Sequence, residues 1–477
     1  MMMRSRANKY INIFTYILSI FSSIVGIGLN FFLAKVLEAD AYGRVQYLLS
    51  LSTLISCICV FGLNSFLIRE VKNSEQKGNV FNKCFTLYLA IYLFVLPIIY
   101  FLLYNFVAIT NLNRILSIFV TITAFLMGVN SLITAYFQGG GKYHLSVIFE
   151  TLIPKMFLLV CAIVFMVIGN LKGFQENYLV FYIIIYSLIA IPIVVKTLKG
   201  LNLRFTRNEL ISIFFFFGVT VTYNLGNELT KVLQGSIFNN TVALATISVS
   251  TSILNLILVF TNVLNNLTKP IYSKFKREKN TTDLIQTYRF NTRINSYIAI
   301  PFYLFFIIFS NNFLQLFGES YTKYPMILTI MALASAVSAI TGPNGSMLAM
   351  TGNEKYELFN GFIYFGTYIA MAFAFSFEPV YGLTIALLIS QIVVNIFKYI
   401  ECWKLFKMAP LDKKTIFTLL IIIITNCGLI LPLMLIKNYF LWFGVGFVVG
   451  AALIVLNCFI FSLYRKNDFK HLLGLRL

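Results

Sequence analysis

Long runs of apolar residues, separated by short polar connections, dominate the chain. Fourteen such runs fall near 10–34, 45–68, 82–104, 115–137, 146–169, 178–197, 210–235, 241–267, 290–310, 325–349, 357–376, 380–398, 415–436 and 439–464. Each is about 20 residues or longer, the length a helix needs to cross hydrocarbon, whereas a barrel strand would be near 10 residues with strict alternation. A helix also satisfies every backbone N–H and C=O within its own segment, which a lipid phase demands. The pattern therefore predicts fourteen transmembrane helices with short connections.

Composition agrees. Of 477 residues 59% are hydrophobic and only 11% charged, against about 25% charged in ordinary soluble domains, and the mean hydropathy is +0.84. A soluble core cannot absorb that many apolar side chains, so a soluble enzyme, a disordered protein and a disulfide scaffold are excluded. The net charge of +20 would suggest nucleic acid in a soluble protein. Its one dense basic run, Lys274 to Lys279, lies between apolar segments, where a juxtamembrane role is expected and no nucleic-acid partner.

Lys and Arg also orient the chain. If the N-terminus and every second connection lie on one side, that side holds 29 of the 37 basic residues and the other side 6, with Lys155 and Lys231 inside spans. The positive-inside rule then places both termini in the cytoplasm and supports an even number of spans. The basic start at Arg4, Arg6 and Lys9 is followed by an uncharged run to Ala34, longer than a cleavable signal core of about 7–15 residues, so a retained first span is expected. The seven cysteines read as small buried hydrophobes. The two histidines, His144 and His471, are far apart, and no catalytic or metal constellation is visible.

An internal repeat is the next signal. Leu33-Ala34-Lys35-Val36-Leu37 ends the first span, and Leu229-Thr230-Lys231-Val232-Leu233 lies in the seventh. Gly141-Lys142-Tyr143 follows the fourth span, and Gly352-Asn353-Glu354-Lys355-Tyr356 the tenth. Six spans separate the copies, an even number, so both halves run in the same direction through the membrane. The expected organisation is an N-lobe at 1–205, a C-lobe at 206–400 and a C-terminal helix pair at 401–477.

With the turns Gln138-Gly139-Gly140-Gly141-Lys142-Tyr143, Glu38-Ala39-Asp40-Ala41-Tyr42-Gly43 and Leu316-Phe317-Gly318-Glu319-Ser320-Tyr321, this layout resembles the polysaccharide-type flippases of the multidrug/oligosaccharidyl-lipid/polysaccharide exporter superfamily. The resemblance implies an all-α, MATE-like integral membrane protein of two parallel six-helix lobes plus two C-terminal helices. It also implies translocation of an undecaprenyl-pyrophosphate-linked oligosaccharide across the bacterial cytoplasmic membrane for O-antigen, capsule or exopolysaccharide synthesis. Membrane lipids, a polysaccharide polymerase and a chain-length regulator are the partners such a role implies. No cofactor is expected; a sodium or proton gradient or the membrane potential would supply the drive.

Charges inside spans cost about 2.5–3.5 kcal/mol each on insertion scales, so each needs a reason. Asn224, Asn227, Glu228 and Lys231 share one face of the seventh span, extended by Thr220 and Gln234. That face either fixes helix packing through a Glu228/Lys231 pair or walls a hydrated cavity. Ser248, Ser252, Asn255 and Asn262 share a face of the eighth span, and Gln391, Asn395 and Lys398 one of the twelfth. Such groups can bind sugar hydroxyls or glue helices together. Lys155 follows Pro154 well inside the fifth span, too deep to snorkel readily, while Lys35 lies near the outer interface, where snorkelling is the simpler reading. Arg44, Arg69 and Arg293, at span ends, are further candidate cations. A pyrophosphate carries about two negative charges, and Lys or Arg in a wet crevice would supply the charge-assisted hydrogen bonds it needs.

Three other readings stay open: a drug or cation antiporter of the same superfamily, which would favour carboxylates in its cavity; a peptidoglycan-precursor flippase; and an integral-membrane polysaccharide polymerase.

Overall fold

The computed structural model describes residues 2–73, 76–106, 114–198, 204–407, 413–436 and parts of 441–457, and is all helix and turn among them. The helices are α1 (Met2–Val36), α2 (Ala39–Val60), α3 (Leu63–Asn73), α4 (Lys77–Phe106), α5 (Arg114–Gly139), α6 (Tyr143–Val147), a π-turn at Ile148–Leu152, α7 (Ile153–Ile168), α8 (Leu171–Glu176) and α9 (Tyr178–Leu198). They continue as α10 (Arg207–Ser236), α11 (Thr241–Arg277), α12 (Thr281–Ile308), α13 (Ser310–Gln315), α14 (Met326–Thr341), α15 (Asn344–Met350), α16 (Glu354–Ala374), α17 (Gly382–Phe406) and α18 (Lys413–Ile430). Helix occupies all fourteen expected segments, the last through short stretches between 441 and 457. Eight described helices are long and apolar enough by themselves to cross a membrane, or nine if the bent pair α14/α15 is one span.

Local chemistry explains where the helices start and stop. Helix α10 opens on a capping box: the Glu209 N–H donates to Thr206 Oγ1 and the Thr206 N–H to Glu209 Oε2. Helix α12 opens on Asn280, whose side chain accepts from the Asp283 N–H. The second span is two helices, because Phe61 and Gly62 both take left-handed conformations, at φ 48° and 75°. In the fifth, a π-turn precedes Pro154, widening the helix where the proline ring would otherwise crowd the preceding carbonyls.

The connection between the eighth and ninth apolar runs, which carries the basic stretch Lys274 to Lys279, is largely helical. Helix α11 runs on to Arg277, and only Glu278 to Asn280 link it to α12. Lys274, Lys276 and Arg277 are good helix formers, and as cations in the last turn they complement the helix dipole, so the helix continues beyond the apolar run.

The two copies of the repeat share a motif at their second anchor. Gly141 and Gly352 both sit in the left-handed region, at φ 76° and 80°. In each case the residue after the glycine donates its N–H five residues back, Lys142 to the Phe137 carbonyl at 2.8 Å and Asn353 to that of Leu348 at 3.0 Å. This is the Schellman closure that only glycine enters without strain.

Contacts divide the chain into two compact units: 1–252 with 377–383, and 253–376 with 384–477. The first is organised around α2 and α5, and its core includes Tyr47, Phe66, Phe85, Tyr88 and Leu132. Helix α10 packs along α2 and α3 in this unit. In the second, α12 packs on α14 and α18. Phe305, Phe309 and Phe313 enclose the fully buried Trp442, whose ring centroid lies 5.1 Å from that of Phe309. A polar ladder ties α11 to α12 there: Asn291 donates to Thr268 Oγ1 at 2.7 Å, and Asn295 to Asn265 Oδ1 at 3.0 Å.

The α2/α3 break yields a packing prediction. A Cβ on Gly62 would sit 2.7 Å from the Phe216 carbonyl carbon and 2.8 Å from the Ile213 oxygen, backbone atoms of α10 that cannot step aside. Gly62→Ala adds left-handed strain of about 1–2 kcal/mol to overpacking of about 1–3 kcal/mol. A clear drop in the melting temperature of the purified protein is expected, and an unchanged melt would contradict this packing.

Candidate functional site

A cleft of about 180 Å³ opens inside the first unit, with room for on the order of ten waters. Five helices line it. Helix α1 gives Gly26, Leu29 and Asn30; α2 gives Gln46, Leu49, Ser50 and Thr53; α7 gives Lys155; α9 gives Tyr178 and Tyr182; α10 gives Glu228 and Lys231.

Each wall has a local cause. The π-turn docks on α1 through a short Ser22–Thr151 hydroxyl contact, and Asn130 of α5 donates to the Phe149 carbonyl at 3.3 Å. These bonds hold the turn that carries Lys155. Gly26 makes room for that lysine: a Cβ there would land on the Lys155 ammonium. On α10, Tyr47 and Ser236 hydrogen-bond at 3.1 Å, fixing α10 on α2 and turning Glu228 and Lys231 toward Gln46 and Ser50. On α9, Tyr178 and Tyr182 pack edge to face with centroids 5.3 Å apart.

The electrostatics favour an anion. Lys231 Nζ donates to both Glu228 oxygens, at 3.0 and 3.2 Å, so this buried pair neutralises itself. Lys155 forms no ion pair among the described residues. Its lining sets two lysines against one carboxylate, an excess of positive charge that Glu150, on the π-turn five residues before Lys155, partly offsets.

Among the expected site residues the structure thus brings together Lys155, Glu228 and Lys231. The side chains of Asn224, Asn227 and Thr220 lie outside the described ones. Arg44 lies elsewhere, in an exposed i,i+4 pair with Asp40 at 2.8 Å. Arg69 pairs with Glu70 at 3.1 Å and stacks over Phe66 and Phe216. Lys35 is exposed, 5.8 Å from the Phe31 ring centroid. Arg293 is buried in the second unit, and Asn255 and Asn262 are exposed. Several polar residues act as connectors. Asn30 donates to Ser252 at 3.1 Å, Gln234 to the Pro379 carbonyl at 2.7 Å, and Thr341 to Asn395 at 2.7 Å, while Ser248 and Ser252 bond to their own helix.

Sequence reasoning missed Gln46, Ser50 and Thr53, although their i, i+4, i+7 spacing marks one face of α2. It also missed Tyr178 and Tyr182, one turn apart on α9.

At one end of α10, Lys83 of α4 donates to both Glu209 oxygens at 2.8 Å while lying 4.4 Å from the Phe205 ring centroid. Burial acts to raise the Glu209 carboxyl, but hydrogen bonds from Lys83 and Thr206 outweigh it and hold the group below the ordinary carboxylate range. A carboxylate lowered by folding stabilises the protein above its unfolded pKa, about 4.3, and loses that contribution as pH falls through the folded value. Acidification below that range is therefore expected to lower the melting temperature, and Glu209→Gln to flatten that acid limb; an identical limb in the variant would contradict the account.

The profile of polysaccharide biosynthesis proteins matches residues 32–326, more than half of the chain. The chain belongs to that family. No curated protein sequence matches it. Among solved structures it is similar to the lipid II flippase MurJ in an inward closed conformation, with a TM-score of 0.64 at 15% identity over 95% of this chain and 99% of that one. An inward-facing multidrug resistance MATE family transporter of the MOP superfamily gives 0.62 at 13% identity, over 81% of this chain and 94% of that one. A MOP superfamily transporter from Pyrococcus furiosus gives 0.55 at 14% identity, over 82% and 95%. The family member thus has the MOP transporter fold of a multi-pass membrane protein.

Proposed function

We propose that this family member is a flippase and not an enzyme. It moves undecaprenyl-pyrophosphate-linked oligosaccharide units from the cytoplasmic to the outer face of the bacterial cytoplasmic membrane, for O-antigen, capsule or exopolysaccharide synthesis. Family membership and the MurJ-like fold support this reading, and the observation that carries it is Lys155. A cation with no ion pair among the described residues, its charge only partly offset by Glu150 and held among apolar helices on a polar cleft, suits a diphosphate that must not meet hydrocarbon. Lys231 adds a second donor, and Asn30, Gln46, Ser50, Tyr178 and Tyr182 offer hydrogen bonds to sugar hydroxyls. The lipid tail stays in the bilayer while the lobes rock between inward and outward access. Both termini lie in the cytoplasm, as the basic connections favour.

A cation antiporter would want a free carboxylate lining the cleft, and the carboxylate that lines it, Glu228, is already neutralised by Lys231. A polymerase differs in what builds up when the gene is deleted. Undelivered lipid-linked units are expected on the cytoplasmic face; single repeats displayed outside would instead indicate a polymerase.

A further inference from the structure

The second unit holds a charged cluster that the cleft does not use. Two i,i+3 pairs face each other: Glu357 and Asn360 on α16, Lys398 and Glu401 on α17. Lys398 Nζ donates to Glu357 Oε1 at 2.8 Å, and Asn360 Nδ2 to Glu401 Oε2 at 2.7 Å. All four residues are buried, Asn360 completely and Glu357 to 1% exposure. Glu357 Oε2 and Asn360 Oδ1, both buried, have no hydrogen-bond partner among the described residues. Within the cluster two carboxylates face one ammonium, an excess of negative charge among apolar helices that burial penalises heavily.

We propose that Glu401, held by Asn360 beside the Glu357/Lys398 pair, takes up one exchangeable proton, making this cluster a proton-binding site. The added proton removes the excess charge, which a like-charged neighbour disfavours, and gives Glu401 an O–H that can donate to Asn360 Oδ1. A metal ion suits the place less well. Both helices are unbroken here and free no backbone carbonyls, so few oxygens converge, and the Lys398 ammonium repels a second cation. Among the described residues, Cys402 of α17 lies beside Glu401, Glu357 and Lys398, and the fully buried Tyr288 of α12 and Tyr272 of α11 pack in one cluster with Cys402; α15 carries no titratable residue. In the orientation proposed above, the start of α16 and the end of α17 face the cytoplasm, so the proton exchanges with water on that side. Resting on the flippase reading for this step alone, proton release here is what couples transport to a pH gradient.

The test uses the full-length protein in lipid vesicles. Infrared difference spectra between about pH 5 and pH 9 are expected to show the C=O band of a protonated carboxyl that titrates away in the wild type and is missing in Glu401→Gln, which keeps an acceptor for Asn360. A melting curve for the variant checks its fold. The same band in the variant, no band in the wild type, or a band that changes when sodium replaces choline at constant pH overturns the proton site. With labelled lipid-linked oligosaccharide, a pH gradient is expected to speed wild-type flipping ~5-fold or more and to leave Glu401→Gln unaffected; equal acceleration of both overturns the coupling. If the band behaves as stated but nothing flips, the function is wrong and the proton site stands.

Discussion

Replacing Lys155 and Lys231 together by alanine is expected to abolish surface polysaccharide while the protein still reaches the membrane at normal levels. Each charge-assisted hydrogen bond to the diphosphate is worth about 1.5–3 kcal/mol, so losing two weakens substrate capture roughly 100-fold or more. Stability moves differently. A span cation with no ion pair costs about 2.5–3.5 kcal/mol on insertion scales, a penalty that nearby Glu150 only lessens, so losing Lys155 relieves a cost and should not lower the melting temperature. Removing Lys231 strands Glu228 in the cleft, and the clean version therefore carries Glu228→Gln as well. Gly26→Ala is a subtler probe. Its methyl group displaces only the flexible end of Lys155, so transport should fall with little change in melting temperature. Normal polysaccharide from a well-expressed double variant would refute this assignment of the site.

The largest loss of stability is expected at Lys398. Lys398→Met leaves Glu357, its side chain 1% exposed, as an uncompensated buried charge. Breaking one side of such a pair costs about 3–5 kcal/mol, whereas replacing both partners by apolar residues is often close to neutral. The melting temperature should therefore fall sharply in Lys398→Met and largely recover when Glu357→Met is added. Arg44→Ala should barely register, because that pair with Asp40 is about half exposed, at 51% and 45%, and such pairs contribute about 0–1 kcal/mol. Equal losses at Lys398 and Arg44 would contradict the burial assigned to the two pairs.

Much of this was legible in the sequence, for physical reasons. Charges are so costly in lipid that Glu228, Lys231 and Lys155 stood out against their apolar runs, and the cleft holds all three. Glu357 and Glu401 did not stand out. Both lie at the edges of apolar runs, where a charge normally reaches water, and only the facing of α16 and α17 buries them. Arg44 suggested a cavity cation until the local geometry paired it with Asp40, four residues earlier on the same helix. The repeat was visible at Gly141 and Gly352 because a left-handed helix stop restricts the residue choice. Lys35 and Lys231 share the pattern Leu-x-Lys-Val-Leu, yet one is exposed and the other buried, because sequence pattern does not reveal which helix covers which face.

The central claim is that lysines in a wet cleft hold a diphosphate. Binding of undecaprenyl-pyrophosphate-linked oligosaccharide to the purified protein in nanodiscs tests it most directly, with Lys155→Ala set beside Lys35→Ala. The account predicts a Kd weakened about tenfold or more by the first change and unaltered by the second. Equal affinity in the wild type and in Lys155→Ala would contradict it.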